Sequence, residues 1–249
     1  LIAGDFTSFR TISYGNLIKT TPTTAIDTTF NMGTGSNSGI FASAIDENGK
    51  IIIGGAFTSY SGSAVNRIVR INTDGTRDTT FNVGTGFNSV TQILSGLELD
   101  SSGSIYVASN FATYNSATAN SFVKLNSSGS IITGSGLYNG FDNVVNSLLV
   151  DSTGSVYAGG NFGNYVSYNF YIIRLNTDGT KDYSFQIGTG FNSYVYSLAV
   201  QPDDKIVVGG NFTTYSGSSN NYIVRLNSNG TKDTSFIIGT GFNPGFVGS

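Results

Sequence analysis

The sequence predicts an all-β fold: a β-propeller of about five four-stranded antiparallel blades, or part of a larger propeller. Three observations lead there. A unit of roughly 50 residues recurs along the chain, with signature phenylalanines at Phe6, Phe57, Phe111, Phe162 and Phe212. Each unit alternates short apolar runs with Gly, Asn, Asp and Ser clusters, the pattern of strands and turns. No stretch carries ten or more residues of helical period free of turn clusters. The copies are expected to form a single domain over residues 1–249.

Each element follows in order. In the unit that spans the second and third signatures, residues 92–99 are apolar and read as the first strand. Ser101-Ser102-Gly103 is a turn, and residues 105–108 form the second strand. A polar loop runs through Tyr114, residues 122–125 form the third strand, and Asn126-Ser127-Ser128-Gly129 turns the chain into a fourth at Ile131-Ile132. The dipeptides Asp74-Gly75, Asp178-Gly179 and Asn229-Gly230 are hairpin signals, because a two-residue turn of this kind needs positive φ at both positions. Ile51-Ile52-Ile53 lacks alternation, as in a strand covered on both faces by neighbouring blades. A parallel β-helix has shorter coils, and a kelch propeller would carry Trp, of which there is none.

Composition removes several function classes. The 249 residues include no Cys and no His, which removes thiolate chemistry, disulfides and nucleophilic triads built on those groups. Net charge is −3 with no basic stripe, so nucleic acid is not an expected partner. No apolar run reaches the roughly 18 residues of a helical membrane span, and membrane insertion is not expected. Charged residues are only 11%, against about 25% in an average soluble domain, so surface polarity falls to Ser, Thr, Asn and Gly. That composition points to an extracellular or virion-surface setting. The chain begins at Leu1 without a signal-peptide pattern and is expected to be a processed or partial product.

A second signature recurs as Asp27-Thr28-Thr29-Phe30, Asp78-Thr79-Thr80-Phe81, Asp182-Tyr183-Ser184-Phe185 and Asp233-Thr234-Ser235-Phe236, each followed by a Gly-Thr-Gly loop. The third copy is degenerate at residues 136–142. The run Asp78-x-x-Phe81-Asn82-x-Gly84-Thr85-Gly86-Phe87-Asn88 resembles the delta-60 repeat family, β-propeller-like repeats of bacterial and phage-associated proteins. So does Gly209-Gly210-Asn211-Phe212 with the strand that follows it at residues 222–226. The resemblance covers nearly the whole chain and implies the propeller fold. It implies no general activity. The first copy departs from it at residues 19–24, where the Asp-Gly hairpin is lost, so its third and fourth strands are expected to pair differently.

Five full periods would also need the equivalent of residues 199–206, which is missing. Either five blades close a ring, with Phe246-Val247 beside residues 1–6, or the chain is a window on a longer array.

The candidate chemistry is sparse. Asn72, Asp74 and Asp78, and likewise Asn176, Asp178 and Asp182, place oxygen groups around a Gly as a calcium loop does. No Glu closes either loop, so a plain hairpin turn is the reading preferred and no cofactor is expected. Arg70 with Asp78, Arg174 with Asp182, and Arg225 with Asp233 occur together, which predicts cross-strand ion pairs near the blade rim. With Asp74-Gly75 as the turn, Ile71 faces Asp78 and Arg70 is its diagonal neighbour. The Gly-Thr-Gly-Phe-Asn loops lack the Lys and helix of a phosphate cradle and are read as blade connections, their Phe plugging between blades. Carboxylates at Asp46, Glu47, Glu98, Asp100, Asp151, Asp203 and Asp204 sit in or beside turns, and a glycan-cleaving pair among them is the enzymatic alternative. Asn126, Asn211 and Asn229 match glycosylation acceptors.

Strand polarity puts the longer loops, residues 58–66, 112–120, 163–169 and 213–220, on one face. Each holds a Tyr: Tyr60, Tyr114, Tyr165 and Tyr215. Such Tyr among Ser, Asn and Gly either contact a ligand or cover the blade edge. Tyr168, Phe170 and Tyr196 fall outside the repeated pattern and are stronger contact candidates. The expected function is a non-enzymatic recognition or structural module of a surface appendage, such as a phage tail or a bacterial surface protein, binding glycan or protein and touching neighbouring chains of the appendage. The alternative is an architectural spacer.

Overall fold

The computed structural model describes residues 1–9, 12–13, 15–88, 96–133, 140–162 and 171–242, and regular structure among them is strand and turn only. Contacts divide the chain into two compact units, Leu1–Ala119 with Val123–Ile132, and Asn120–Phe122 with Thr133–Ser249.

Four repeats each build a three-stranded antiparallel sheet in meander order. The second uses Ile40–Ile45, Ile51–Gly55 and Ile68–Ile71, and the third Gly96–Leu99, Ile105–Ala108 and Phe122–Leu125. The fourth uses Val145–Val150, Val156–Gly160 and Ile172–Leu175, and the fifth Val195–Val200, Ile206–Gly210 and Ile223–Leu226. The first repeat pairs Ile2–Ala3 with Leu17–Ile18. The middle strand is the buried one. Ile51, Ile52 and Ile53 are all inside, as their unbroken β-branched run requires, and each contributes on the order of 2 kcal/mol through apolar burial.

The fourth strand of each blade is reduced to one bridge: Ile71 with Arg77, Leu125 with Ile131, Leu175 with Lys181 and Leu226 with Lys232. In the second, fourth and fifth repeats the Asp of the second signature turns the chain away. Asp78 Oδ1 accepts hydrogen bonds from the Thr80 amide (2.9 Å) and hydroxyl (2.6 Å), which curls the chain out of the ladder one residue after the bridge. Asp182 with Ser184, and Asp233 with Ser235, repeat the device.

The turn before that bridge corrects the expected register. Gly75 N–H donates to Asn72 O, and Asn72 N–H donates to Thr76 O, so three residues form the loop and only Gly75 has positive φ (89°). This is a three-residue loop ending in a left-handed Gly, not a two-residue Asp-Gly turn. One extra residue shifts the pairing. Ile71 bridges Arg77, and Asp78 N–H donates to Arg70 O at 2.9 Å, so Arg70 stands directly beside Asp78 and not diagonally.

The polar loops also hold structure that the sequence reading missed. Ser59–Tyr60 pairs with Ser63–Ala64, Thr113–Tyr114 with Ala117–Thr118, and Thr214–Tyr215 with Ser218–Ser219. Their two-residue turns, Ser61-Gly62, Asn115-Ser116 and Ser216-Gly217, have positive φ at both positions, the geometry that suits a tight hairpin. The first copy, expected to pair differently, follows the common pattern. Thr20 bridges Ile26, Asp27 N–H donates to Lys19 O, and Lys19 Nζ lies 3.3 Å from Asp27 Oδ2. Thr24 occupies the left-handed position there with φ 63°.

Neighbouring repeats lock through these turns. Asn31 N–H donates to Asp74 O, Asn82 N–H to Ser128 O (2.8 Å) and Gln186 N–H to Asn229 O (2.7 Å). A Cβ on Gly75, Gly129 or Gly230 would approach the backbone of the preceding repeat to 2.9 Å, so the Gly serves both the turn and the junction. The loop phenylalanines plug the same seams. Phe87 stacks on Phe111 (4.4 Å) and Tyr114 (4.7 Å), and Phe191 on Phe212 (4.3 Å) and Tyr215 (4.6 Å), with tilted rings. Phe246 and Val247, on which the ring-closure reading depends, lie outside the described residues.

Two outcomes follow. A β-branched residue at positive φ is strained, so Thr24→Gly should raise stability by about 0.5–1 kcal/mol; a lower urea midpoint in the variant would contradict this. Asp78 is buried, which opposes its charge. The hydrogen bonds from Lys50, Thr80 and Arg70 nonetheless hold its carboxyl far below the ordinary value. Its stabilisation is therefore present above the ordinary carboxylate pKa of about 3.9 and is lost as pH falls further. Asp78→Asn should cost about 2 kcal/mol at neutral pH, and urea titrations of the two proteins should converge on acidification. A gap that stays constant down to low pH would show that the charge does not matter.

Candidate functional site

The three repeated tyrosines that the structure describes are structural. Tyr60, Tyr114 and Tyr215 are almost fully buried, and their hydroxyls donate to the carbonyls of Gly75 (2.8 Å), Gly129 (2.5 Å) and Gly230. Burial pushes all three phenols well above their usual range. They sit inside the seams described above and offer no surface to a ligand. Tyr165, Tyr168 and Phe170 lie outside the described residues. Tyr196 stands exposed.

The Arg–Asp pairs form buried or half-buried networks. Arg70 Nε donates to Asp78 Oδ2 at 2.8 Å, its Nη2 to Thr80 at 3.3 Å, and its plane stacks 5.0 Å from the Phe81 ring. Its Nη1 crosses the junction to Ser127 O at 2.6 Å. Arg174 repeats this with Asp182, Ser184, Phe185 and Ser228 O. Arg225 pairs with Asp233 and Ser235, but its Nη1 turns to Gln201 at 3.4 Å. The third repeat lacks the Asp, and Lys124 instead pairs with Asp100 at 3.5 Å.

The oxygens of both candidate calcium loops are engaged by protein groups. Asp74 accepts from Thr76, Asn72 Nδ2 donates to Thr76 Oγ1, and Asp78 is engaged by Arg70 and Lys50. Asp178 and Asn176 pair with Thr180 in the same way, and Asp182 with Arg174. No group of three metal-ligating acidic side chains occurs among the described residues. Of the turn carboxylates, Asp46, Asp100, Asp151 and Asp203 are similarly committed. Asp46 caps Asn48 and Lys50, Asp151 caps Thr153 and Ser155, and Asp203 pairs with Lys205 at 3.3 Å. Asp100 accepts from the amides of Ser102 and Ser104 and from the Tyr106 hydroxyl, and these bonds outweigh its burial and lower its pKa. Glu98 is half-buried on its strand, and burial raises its carboxyl.

What remains is an aromatic row in the second unit. The Tyr171 and Tyr194 rings lie 5.8 Å apart, and Tyr194 and Tyr196 lie 6.5 Å apart. Tyr194 is 37% and Tyr196 44% exposed. The backbone explains their placement. The ladder between Val195–Val200 and Ile206–Gly210 shifts register between Val195 and Ser197, so Tyr196 is the bulged residue. A bulge re-aims its side chain away from the sheet's alternation. The bulge needs close approach, since a Cβ on Gly210 would meet Tyr194 O at 2.2 Å. This is the physical reason for the second Gly of the Gly-Gly signature. Gly55 and Gly160 play the same part against Gly39 and Val144. Tyr171 occupies the left-handed position before its strand (φ 58°) and its carbonyl accepts Gly160 N–H at 3.0 Å. Bulge positions elsewhere carry Phe41, which is 40% exposed, and Asn146, whose amide donates to Val195 O. Sequence reasoning found Tyr196 but missed Tyr171 and Tyr194. The signal was available, since both are aromatic where the other copies vary.

Comparison with known proteins follows the repeat. Residues 47–81, 101–131, 152–185 and 201–236 match a domain of unknown function, the DUF5122 beta-propeller. No curated protein matches the chain. Among solved structures, the extracellular domain of BT4673 from B. thetaiotaomicron is similar at 15% identity, over 82% of this chain and 23% of that chain, with a TM-score of 0.50. The extracellular domain of BT3049 from the same organism is similar at 14%, over 79% of this chain and 24% of that one, at 0.47. The gluconolactonase XC5397 from Xanthomonas campestris is similar at 10%, over 78% and 61%, at 0.45. At such identities the likeness is one of fold, and the chain spans about a quarter of the two B. thetaiotaomicron chains. With the repeat matched in four successive copies, the chain belongs to the DUF5122 beta-propeller family.

Proposed function

We propose that the chain is a non-enzymatic recognition module of an extracellular surface appendage, such as a phage tail or bacterial surface protein, and that it binds glycan through Tyr171, Tyr194 and Tyr196. The observation that carries this reading is the row of three rings, with centroids 5.8 and 6.5 Å apart, in which half-buried Tyr171 backs the exposed Tyr194 and Tyr196 at a bulge held by Gly210. Tyrosine faces pack against the C–H faces of a sugar while the hydroxyls reach its oxygens, and few torsions are frozen in doing so. Rigid strands beneath the rings limit the ordering cost of binding. The low charge of the chain suits a neutral saccharide. The engagement of Asp46, Asp100, Asp151 and Asp203 within their own turns or by lysine favours a binding role over hydrolysis by a carboxylate pair among them. An extracellular setting agrees with the composition, and the similar BT4673 domain is an extracellular one. The delta-60 resemblance carries no activity of its own, so the reading rests on these residues.

A glycan array probed with the wild-type chain should give selective binding. Tyr194→Ala and Tyr196→Ala should each weaken it by about tenfold or more, near 1.4 kcal/mol. Tyr183→Ala, at a residue 82% exposed elsewhere, should leave it unchanged. A blank array would favour the spacer or a protein partner and overturn the reading, and saccharide release by the purified chain would overturn its non-enzymatic part.

A further inference from the structure

The chain carries three Asn-Gly pairs, Asn48-Gly49, Asn139-Gly140 and Asn229-Gly230, and Asn139 lies outside the described residues. In such a pair the glycine has no side chain to keep its amide nitrogen away from the asparagine side chain, so that nitrogen can attack the side-chain carbonyl carbon. By sequence the two described pairs are alike. Their surroundings are not.

Both glycines are left-handed, Gly49 with φ 74° and Gly230 with φ 88°, and both amides donate to the carbonyl three residues back at 2.9 Å. The attacking nitrogens are therefore held alike, and the difference lies in the asparagines. Asn229 takes the place that Asp74 and Asp178 hold in their repeats. Its Oδ1 accepts the Thr231 amide (3.0 Å) and hydroxyl (2.7 Å), as theirs accept Thr76 and Thr180. Its main-chain carbonyl accepts Gln186 N–H across the junction at 2.7 Å, and Gly230 is buried. Side chain and backbone are both pinned.

Asn48 has neither restraint. Asp46 does the capping in its turn, with Oδ1 accepting the Asn48 and Lys50 amides at 2.9 Å each. Lys50, two residues on, brings no hydroxyl, and the exposed Asn48 side chain makes no hydrogen bond to a described residue. A Cβ on Gly49 would meet only the Thr73 methyl at 3.2 Å, where one on Gly230 would meet main chain at 2.9 Å.

We propose that Asn48 is a site of spontaneous deamidation and that Asn229 is protected from it. The Gly49 nitrogen gives up its proton and bonds to the Asn48 side-chain carbonyl carbon. The carbon–nitrogen bond of the side-chain amide breaks, and the nitrogen leaves as ammonia with that proton. Water then opens the cyclic imide at either carbonyl, giving an aspartate or its β-linked isomer. Either product adds a carboxylate beside Asp46 and Glu47, at a cleft of about 250 Å³ that Lys50, Arg70 and Ser127 also line. The β-linked isomer also inserts a methylene into a turn that Asp46 N–H closes on Lys50 O at 2.9 Å.

The test is peptide mapping by mass spectrometry of the chain in mildly alkaline buffer, both folded and in urea, continued until both pairs have converted in urea. In the folded chain Asn48 should convert first, and faster as pH rises, because the attacking nitrogen must lose its proton. Asn229, with two hydrogen bonds to its side-chain oxygen to break, should lag by about tenfold or more. In urea the two rates should converge, since nothing then pins either side chain. A folded chain that converts equally at both sites, at Asn229 first or at neither would overturn the proposal, as would a lag that urea leaves undiminished.

Discussion

The contact on which the described architecture depends is the Arg–Asp–carbonyl junction. One guanidinium is clamped by an Asp of its own repeat and spends its remaining donor on a backbone carbonyl of the next. Alone, a surface ion pair of this kind would be worth little. Here the planar guanidinium has a fixed orientation, stacks on the signature Phe, and connects a side chain to a neighbouring backbone. The Asp has a second duty. By capping the residue two positions on, it turns the chain after the bridge and swings Phe and Gly-Thr-Gly into the seam. One carboxylate therefore terminates a strand, orients a cation and aims the chain at its neighbour.

Repetition follows from that economy. A sheet of three short strands has two faces to cover and cannot bury them alone. The second and fourth repeats present an amide, an arginine and a plugging Phe at their trailing edges, and the third and fifth present turn carbonyls that receive them. Adjacent copies complete each other, which is why the signature residues recur in register while the hairpin tips and bulge positions vary. The varying positions are the ones the scaffold does not need. Tyr194 and Tyr196 occur among them, and so does Phe41, which makes the bulge of the first strand the place where a repeat acquires individuality.

The sequence made much of this legible. Tandem phenylalanines, glycine pairs and co-occurring Arg and Asp were enough to assign strands and to single out the ion pairs. Register was not legible, because Asp-Gly is compatible with both a two-residue turn and a three-residue loop, and only the φ values of Asp74 and Gly75 distinguish them. The fate of Tyr60, Tyr114 and Tyr215 was ambiguous for a related reason. A Tyr among Ser and Gly looks alike whether it covers a seam or meets a ligand, and recurrence in register was the clue to its burial. The bulge was invisible, since the residue opposite it is a glycine whose role is to be absent as a side chain. Tyr171 and Tyr194 come together only through that bulge and a left-handed residue, features that no periodicity encodes.

The most direct test of the junction is hydrogen exchange at single backbone amides in Arg→Lys variants. Lys keeps the charge but cannot both clamp the Asp and reach the neighbouring carbonyl. The account predicts that Arg70→Lys speeds exchange at the Asn82 amide, which donates to Ser128 O across the seam, and leaves Gln186 unchanged. Arg174→Lys should do the reverse. Faster exchange confined to residues around Asp78 or Asp182, with Asn82 and Gln186 unaffected, would show that the arginine serves its own repeat alone and would contradict the account.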